Sequence, residues 1–424
     1  MCFRILTLRN AVLIMTFALS ALANAQTTQS TLFMFNKGTD FWPQGGLVED
    51  AAGNLYGTTR GGGAYGVGTV YELSPPTVSG GSWNQTLLYS FVPYGNGGYV
   101  PISDLVKDSA GAFYGTFRFG GDPVCSCGGV YKLTPPVVKG GAWTESAIYS
   151  FQTSDGHLPS TGALALTPSG TVYGTTLQGG TWDSGVLYQL TTQDGITYHE
   201  TVLYSFGDLG DASSPSGPIL LDSVGLLYGV TSVGGAFGQG AVYKYVPAAN
   251  GNPATESVLY SFGSSITTGR TPVGNLVFDA SGNIYGVTTY GGSKANYGVV
   301  YELTPGNPTW TETILYAFTK TSGTNPLGGL IWNPTNNNLY GSTSALNPYG
   351  SGGGTVFKLI PPTVSGGAWT EANVFNFIYE TNGGYPTGTI LRDPSTGSLY
   401  GTCLIGAIGH NDWYWGTLWQ IANP

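Results

Sequence analysis

Aromatic side chains in predicted loops are the groups of this sequence best suited to binding a ligand. An aromatic ring with a polar edge offers apolar area together with a hydrogen-bonding group, which suits sugar rings and peptide segments. Four tryptophans fall in predicted loops and break the repeat pattern, and three tyrosines join them on the same predicted face: Trp42, Trp182, Trp413, Trp415, Tyr94, Tyr99 and Tyr385. Further loop tyrosines accompany them: Tyr65, Tyr290, Tyr297, Tyr349 and Tyr414. The alternative is that these rings only cover seams between structural units.

Groups that could carry out catalysis are sparse. The three histidines, His157, His199 and His410, are predicted in different structural units, and no nucleophile elbow or zinc-protease motif occurs. Two charged loop residues could instead act as acid and base on a polysaccharide. The candidates are Asp40, Arg60, Arg118, Asp122, Asp155, Asp183, Asp208, Asp211, Arg270, Glu380 and Asp412. Sequence does not show which of them converge, so no catalytic residue is assigned.

The cysteines of the mature chain suggest neither a metal site nor a redox pair. Cys125 and Cys127 are separated by one residue rather than two, and no second pair completes a zinc site. A disulfide between residues so close in sequence is expected to be strained. We therefore assign no role to these two residues or to Cys403, and we expect no metal and no cofactor.

The first 25 residues predict a secretory signal peptide. Arg4 and Arg9 form a positive region before the apolar run from Ala11 to Ala21, and Ala23-Asn24-Ala25 forms a cleavage signal of small residues. We expect an exported, extracellular or periplasmic protein whose mature chain has no membrane span and is monomeric. The formal net charge of −9 argues against a nucleic-acid partner, because nucleic-acid binding requires a clustered basic face.

A Tyr-Gly dipeptide recurs seven times at intervals of 55 to 60 residues. Its tyrosines are Tyr56, Tyr114, Tyr173, Tyr228, Tyr285, Tyr340 and Tyr400. Each repeat contains four short runs of β-branched and aromatic residues, separated by Gly, Pro, Asn and Asp. We call these runs A to D in chain order. Four antiparallel strands per unit, repeated seven times, predict an all-β fold, a seven-bladed β-propeller.

The two ends of the chain distinguish a closed ring from an open solenoid. Residues 31–35 form a lone D-type run, and the chain ends after a C-type run. The N-terminal strand is therefore expected to complete the last blade and remove its open edge. This predicts one domain, residues 26–424, with blades at about 43–91, 101–151, 159–206, 215–262, 272–318, 326–377 and 386–421 plus 31–35.

The Leu-Tyr-Gly motif is expected to serve packing between blades. Leucine and tyrosine should point to opposite faces of the sheet, each buried against an adjacent blade. The glycine is expected to admit a side chain from a neighbouring blade. The D–A and B–C connections should share one face, and their greater length places a binding surface there.

Two stretches carry a resemblance to a known family. The segments "GNLYGTTRGGGAYGVGTVYELSP" (53–75) and "WTETILYAF" (310–318) resemble the bacterial extracellular tandem-repeat family labelled GloVer or HAF-type repeat, over about residues 31 to 421. The resemblance implies export and propeller-like repeats, and it assigns no activity or catalytic residue. The sequence thus favours a secreted binding module for glycan or protein. The alternatives are an extracellular polysaccharide hydrolase or lyase with an axial site, and a structural cell-surface module.

Overall fold

The structure, a computed structural model, is a ring of β-sheets. It describes residues 28–424 except 79, 94–96, 209, 250, 307–308, 346–351, 365, 380 and 407–414. The described residues form strands, turns and loops without an α-helix, and hence without a helix that could span a membrane.

The strands in chain order are β1 (Thr28–Met34), β2 (Asp40–Pro43), β3 (Val48–Glu49), β4 (Leu55–Gly62), β5 (Thr69–Ser74), β6 (Asn84–Ser90), β7 (Gly98–Pro101), β8 (Val106–Lys107), β9 (Phe113–Gly120), β10 (Gly129–Thr134), β11 (Thr144–Ser150), β12 (His157–Pro159), β13 (Ala165–Leu166), β14 (Val172–Gln178), β15 (Val186–Thr192), β16 (Tyr198–Ser205), β17 (Ala212–Pro215), β18 (Leu220–Leu221), β19 (Leu227–Gly234), β20 (Ala241–Val246), β21 (Thr255–Ser261), β22 (Gly269–Phe278), β23 (Ile284–Gly291), β24 (Val299–Thr304), β25 (Thr311–Ala317), β26 (Thr324–Trp332), β27 (Leu339–Ala345), β28 (Gly352–Ile360), β29 (Thr370–Ile378), β30 (Gly384–Pro386), β31 (Leu391–Arg392), β32 (Leu399–Ile405) and β33 (Thr417–Ala422).

These strands make seven sheets, so the predicted seven-bladed propeller is confirmed. Each blade runs from an inner strand through two middle strands to an outer strand, and all pairings are antiparallel. In five blades the inner strand is divided into two short segments that pair with the same neighbour, as β2 and β3 do with β4. Blades 5 and 6 instead have one continuous inner strand, β22 and β26, with a register shift.

The ring closes through the N-terminal strand, as predicted. β1 pairs with β33 from Thr28 opposite Ala422 to Met34 opposite Thr417. The backbone N–H of Phe35 donates to the carbonyl of Gly416 at 3.0 Å, and the Phe35 ring is buried against blade 1. The last blade is therefore assembled from both ends of the chain, which leaves no open edge between blades 7 and 1.

The core is divided into seven clusters, one at each blade interface. Each copy of the Leu-Tyr-Gly motif contributes side chains to two of these clusters, because successive side chains of a strand point to opposite faces. Leu55 of blade 1 lies in one cluster with Leu418 of blade 7, whereas Tyr56 packs against Phe113 of blade 2. The predicted opposite burial of leucine and tyrosine is confirmed.

The glycine of the motif serves a different contact from the one predicted. A Cβ on Gly57 would lie 2.4 Å from Oη of Tyr71 and 3.2 Å from Leu47, and both residues belong to the same blade. The prediction of a side chain from a neighbouring blade was therefore wrong. The facing strand places a ring over the glycine in every blade: Tyr71, Tyr131, Tyr188, Tyr243, Tyr301, Phe357 and Trp419.

The aspartates of the first hairpin turn hold the motif's tyrosine in place. Asp50 accepts hydrogen bonds from the backbone N–H groups of Ala52 and Asn54 and from the hydroxyl of Tyr56, at 2.9 to 3.0 Å. An Asp that bonds its own backbone two residues on stabilises a tight turn. These hydrogen bonds give Asp50 a structural role in the turn.

Cys125 and Cys127 are joined by a disulfide, while Cys403 is a buried free thiol. The sequence assigned these cysteines no role, and the structure joins two of them in a bridge within one loop. The Cys125-Ser126-Cys127 segment belongs to the B–C loop of blade 2, where Ser126 has a positive φ of 52°. That turn brings the two Cα atoms to 5.1 Å, within the range that a disulfide requires.

Candidate ligand-binding site

One residue per blade has a left-handed backbone at the rim where the B–C loops meet the inner strands. Each precedes a proline, and its φ lies between 53° and 60°. We call these the rim residues: Trp42, Val100, Leu158, Ser214, Thr271, Asn325 and Tyr385. In blades 1 to 6 the backbone N–H of the rim residue donates to a carbonyl in the B–C loop of the preceding blade, at 2.8 to 3.0 Å. The rim conformation is therefore part of the architecture of every blade.

The side chains at the rim differ although the backbone does not. Blades 7 and 1 place Tyr385 and Trp42 there, and these rings are 39% and 42% exposed. Blades 4 to 6 place Ser214, Thr271 and Asn325 at the same positions. Because Ser, Thr and Asn satisfy the same backbone geometry, the fold does not require the two aromatic rings.

Aromatic rings cluster around Trp42. The ring of Phe41 contacts those of Trp42 and Trp415 edge-on, with centroids 4.9 and 5.0 Å apart, and Trp42 lies 6.5 Å from Trp415. On the blade 2 side, Tyr99 and Phe119 form a second pair at 5.7 Å. Edge-to-face and tilted contacts at these distances are the favoured arrangements of aromatic pairs.

A cleft of about 460 Å³ lies between these groups at the junction of blades 1 and 2. Its lining is mostly apolar, and its volume falls in the usual range of small-molecule sites. We call it the aromatic cleft; it is lined by Phe41, Trp42, Arg60, Gly61, Gly66, Val67, Tyr99, Val100 and Phe119.

One arginine, Arg60, lines the aromatic cleft, and a second, Arg118, lies beside it. Burial and, second, the neighbouring Arg118 guanidinium lower the pKa of Arg60. Nε of Arg60 is buried and has no hydrogen-bond partner among the described residues. The Arg118 guanidinium lies 5.6 Å from the centroid of the Phe119 ring. A buried, unpaired donor is costly, so this corner of the cleft favours a ligand that accepts hydrogen bonds.

The structure brings together some of the predicted binding residues and separates others. Trp42, Tyr99 and Trp415 belong to the cluster around the cleft, and Tyr385 packs beside Tyr379 in blade 7 at 5.5 Å. Trp182 is exposed in the B–C loop of blade 3, apart from them. Four candidates lie outside the described residues: Tyr94, Trp413, Tyr349 and Tyr414.

The sequence did not identify Phe41 and Phe119 as binding residues because they lie in strands, where an aromatic residue is predicted to belong to the core. Their equivalents in other blades would have been a signal. At the position of Phe41 the other described blades have Tyr99, His157, Ser213, Arg270, Thr324 and Gly384. A position that varies this much is not required for packing.

The predicted acid–base candidates have other roles in the structure. Asp155 accepts hydrogen bonds from the Tyr149 hydroxyl and the Gln152 N–H, both at 2.7 Å, and Asp211 accepts from Tyr204 and Gly207. Further carboxylates accept hydrogen bonds from nearby groups: Asp40, Asp122 and Asp183. Glu380 and Asp412 lie outside the described residues. Among the described residues, no group of three His, Cys, Asp or Glu could hold a metal ion.

Two of the histidines share a blade, contrary to the prediction. His157 lies in the inner strand β12 and His199 in the outer strand β16 of blade 3. The difference arises because the inner strand begins before the proline that was taken as its start. His410 lies outside the described residues.

A second set of carboxyl groups is repeated at the blade interfaces. Burial and then Asp155 raise the pKa of Glu200 to about 7, and burial and then Asp211 raise that of Glu256 to about 8. Such shifts are common at active sites. Here the acid recurs at the same outer-strand position as Glu145, Glu200, Glu256, Glu312 and Glu371. A repeated position indicates a structural role.

A small cavity lies at the axis of the ring. Its volume is about 70 Å³, enough for a few water molecules but not for a sugar, and residues of all seven blades line it. Asp104 is the one carboxyl group among its described lining residues, and it accepts a hydrogen bond from the N–H of Gly46 in blade 1. Glycosidase chemistry usually employs two carboxyl groups. The described residues at the axis therefore do not supply that pair.

Solved structures of similar fold are found at low sequence identity. A protein of unknown function from Dyadobacter fermentans is 10% identical, with a TM-score of 0.47, over 94% of this chain and 99% of that chain. An α-L-arabinanase from Penicillium chrysogenum, complexed with arabinobiose, is 14% identical, with a TM-score of 0.43, over 76% and 93%. A Trypanosoma rangeli sialidase is 13% identical, with a TM-score of 0.42, over 82% of this chain and 57% of that chain.

The family comparison covers most of the repeats. No curated protein matches the chain. The profile of the Gloeobacter/Verrucomicrobia repeat matches residues 102–353 and, in a second overlapping match, 252–423. Together these matches span more than half of the sequence, from β8 in blade 2 to β33 in blade 7. The chain belongs to the Gloeobacter/Verrucomicrobia repeat family.

Proposed function

We propose that this propeller is an exported binding module that recognises saccharides through the aromatic cleft. The observation that carries the proposal is the cluster of Phe41, Trp42, Tyr99 and Phe119 around one cleft, at positions whose side chains vary from blade to blade. Side chains that the fold does not need are the ones available for recognition.

The chemistry of the aromatic cleft suits a sugar ring. The faces of sugar rings present C–H groups that pack on aromatic rings, while their hydroxyl groups require polar partners at the edge. Trp42 supplies an exposed ring, and Arg60 and the Tyr99 hydroxyl supply polar groups. A cleft with apolar walls and a few polar groups is the usual form of a binding site.

Binding is better supported than catalysis in this cleft. Its described lining residues include no Asp, Glu or His, and the carboxylates predicted as acid–base candidates are used by their own loops. Hydrolysis of a glycosidic bond requires an acid and a nucleophile or base at the scissile bond. The lining can orient a sugar but offers no such pair.

The test compares two exposed tryptophans on the same face. The full protein and the variants Trp42→Ala and Trp182→Ala would be screened on a glycan array, and positive glycans would be measured by calorimetry. We expect Trp42→Ala to weaken binding by at least tenfold, the usual loss for a tryptophan at the centre of an interface. Trp182→Ala, which lies away from the cleft, should bind normally. A blank array with the unmodified protein, or equal losses in both variants, would contradict the proposal.

A further inference from the structure

Arg60 and Arg118 occupy the same repeat position in blades 1 and 2, three residues after the glycine of Tyr-Gly. The other blades have uncharged residues there: Leu177, Ser232, Thr289, Ser344 and Leu404. The fold therefore has no need of a guanidinium at this position. The chain contains few arginines, and placing two of them side by side has an electrostatic cost.

Neither charge is neutralised within the described part of the chain. No Asp or Glu forms an ion pair with Arg60 or Arg118 there, and Nε of Arg60 is buried without a partner. This occurs in a protein with 23 acidic and 14 basic residues, in which a carboxylate partner would be easy to supply. Two adjacent, unpaired guanidinium groups beside an open cleft are the arrangement expected for binding an anion.

We propose that the aromatic cleft takes an acidic sugar, whose carboxylate or sulfate group is received by Arg60 and Arg118. This inference rests on the proposed saccharide-binding function and narrows its ligand class. The sugar ring packs on Trp42 and Tyr99, and the anionic group lies toward the two guanidinium groups, which can bind oxyanions in a bidentate manner. The net charge of −9 repels a polyanion elsewhere on the surface, so binding depends on this pair.

Matched ligands test the charge of the sugar. Calorimetry with the full protein would compare oligogalacturonate with its methyl ester, and dextran sulfate with dextran. We expect at least one acidic ligand to bind ten times more tightly than its neutral counterpart, with a preference that weakens as salt is added. Binding of the first pair identifies a carboxylate and binding of the second a sulfate, and either result supports the inference.

Matched variants test the residues. Arg118→Met should weaken binding of the acidic ligand about tenfold and leave binding of the neutral ligand unchanged. Arg60→Met also removes a polar group that lines the cleft, so it should weaken binding of both ligands, and that of the acidic ligand more. Arg270→Met is the control, because Arg270 also has a buried, unpaired Nε but lies in blade 5. Melting curves establish that each variant is folded. If Arg60→Met does not fold, the inference is tested with Arg118→Met alone.

The possible failures are distinguishable. If acidic and neutral ligands bind equally and the arginine variants change nothing, while Trp42→Ala abolishes binding, the anion inference is overturned and the saccharide proposal stands. If Arg270→Met loses as much affinity as Arg118→Met, the effect is one of general charge and the inference is also overturned. If none of the ligands and no glycan on the array binds, both proposals fail.

Discussion

Two parts of the propeller's rim have the same backbone and different side chains. In blades 7 and 1 the rim residues are Tyr385 and Trp42, whereas in blades 4 to 6 they are Ser214, Thr271 and Asn325. We call these the aromatic rim and the polar rim. The left-handed φ angles are alike in both, and so are the hydrogen bonds to the preceding blade where they are described.

The comparison separates the requirements of the fold from those of recognition. A left-handed backbone is unfavourable for residues other than glycine and asparagine, and it persists only where surrounding contacts impose it. Since all seven blades impose it, the strain is architectural and does not mark a site. The information lies in the side chains, because only the aromatic rim exposes large rings there beside an apolar cleft with two unpaired arginines.

Removing residues 28–35 should have the largest effect, and it should destabilise the aromatic rim. The closing strand β1 is the outer strand of blade 7 and continues into blade 1, so the deletion opens the ring between the two blades of the aromatic rim. It exposes the C-strand edge of blade 7 and removes the buried ring of Phe35. We expect a loss of at least about 3–5 kcal/mol in unfolding free energy, from side chains worth roughly 1.5–3 kcal/mol each when fully buried.

Thermal melting and limited proteolysis would measure this effect. A chain that begins at Thr28 is the control and should melt like the full protein. First cleavage near blades 7 and 1 would agree with local opening of the aromatic rim. An unchanged melting curve for the deletion would show that β1 does not hold the ring closed.

Adding a methyl group to the Tyr-Gly glycines should affect both parts of the ring equally. A Cβ on Gly57 in blade 1 would lie 2.4 Å from Oη of Tyr71, and one on Gly286 in blade 5 would lie 2.3 Å from Oη of Tyr301. Both rings are fully buried and cannot move aside. We expect Gly57→Ala and Gly286→Ala each to cost about 1–3 kcal/mol through overpacking.

Denaturant unfolding of the two variants would test the equality. Gly282→Ala is a useful reference, because its Cβ would meet no atom within 4 Å, although its φ of +82° disfavours alanine. If Gly57→Ala were tolerated and Gly286→Ala were not, the two parts of the ring would differ in their packing as well as in their rim. The comparison would then lose its basis.

The ring was predictable from sequence because its determinants are repeated. Each blade must bury both faces, so Leu-Tyr-Gly recurs seven times, and the unit split between 28–34 and 417–422 reveals the closure. What was not predictable depends on contacts between repeats or across strands. The partner of Gly57 is one example, since only the pairing register places Tyr71 over it.

The candidate site was only partly predictable for the same reason. Trp42, Tyr99 and Trp415 could be recognised because they are aromatic residues in predicted loops. Phe41 and Phe119 lie in strands, where sequence predicts that an aromatic residue belongs to the core. Arg60 and Arg118 were two of several charged candidates, and only the structure shows that they are neighbours. Sequence shows which residues depart from a repeat, but not which of the departures face one another.

The smallest predicted effect concerns an outer-strand position that is an amide in blade 1 and an acid in blade 4. Gln85 donates a hydrogen bond to Asp40 at 2.7 Å, so the acid of this pair has a neutral partner. Glu256, at the equivalent position, has Asp211 as its neighbour, and burial followed by that charge raises the pKa of Glu256 to about 8. The blade of the polar rim therefore holds two carboxyl groups where the blade of the aromatic rim holds one.

The variant Glu256→Gln should remove part of the pH dependence of stability. A carboxyl group whose pKa is higher in the folded protein than the unfolded value of about 4.5 binds more protons when folded, so its contribution declines as pH rises from about 4.5 to about 8 and is constant above. The amide cannot ionise, and Gln85 shows that it fits the position. Because Glu256 is partly exposed, we expect the unfolding free energy to rise by about 1 kcal/mol at pH 8 and to change little at pH 4.

The variant Gln85→Glu makes the opposite change. It should reduce the melting temperature at pH 8 more than at pH 4, since Asp40, whose pKa burial raises to about 6, would then face a second acid. Parallel shifts of both variants at every pH would mean that packing, and not ionisation, distinguishes the two blades.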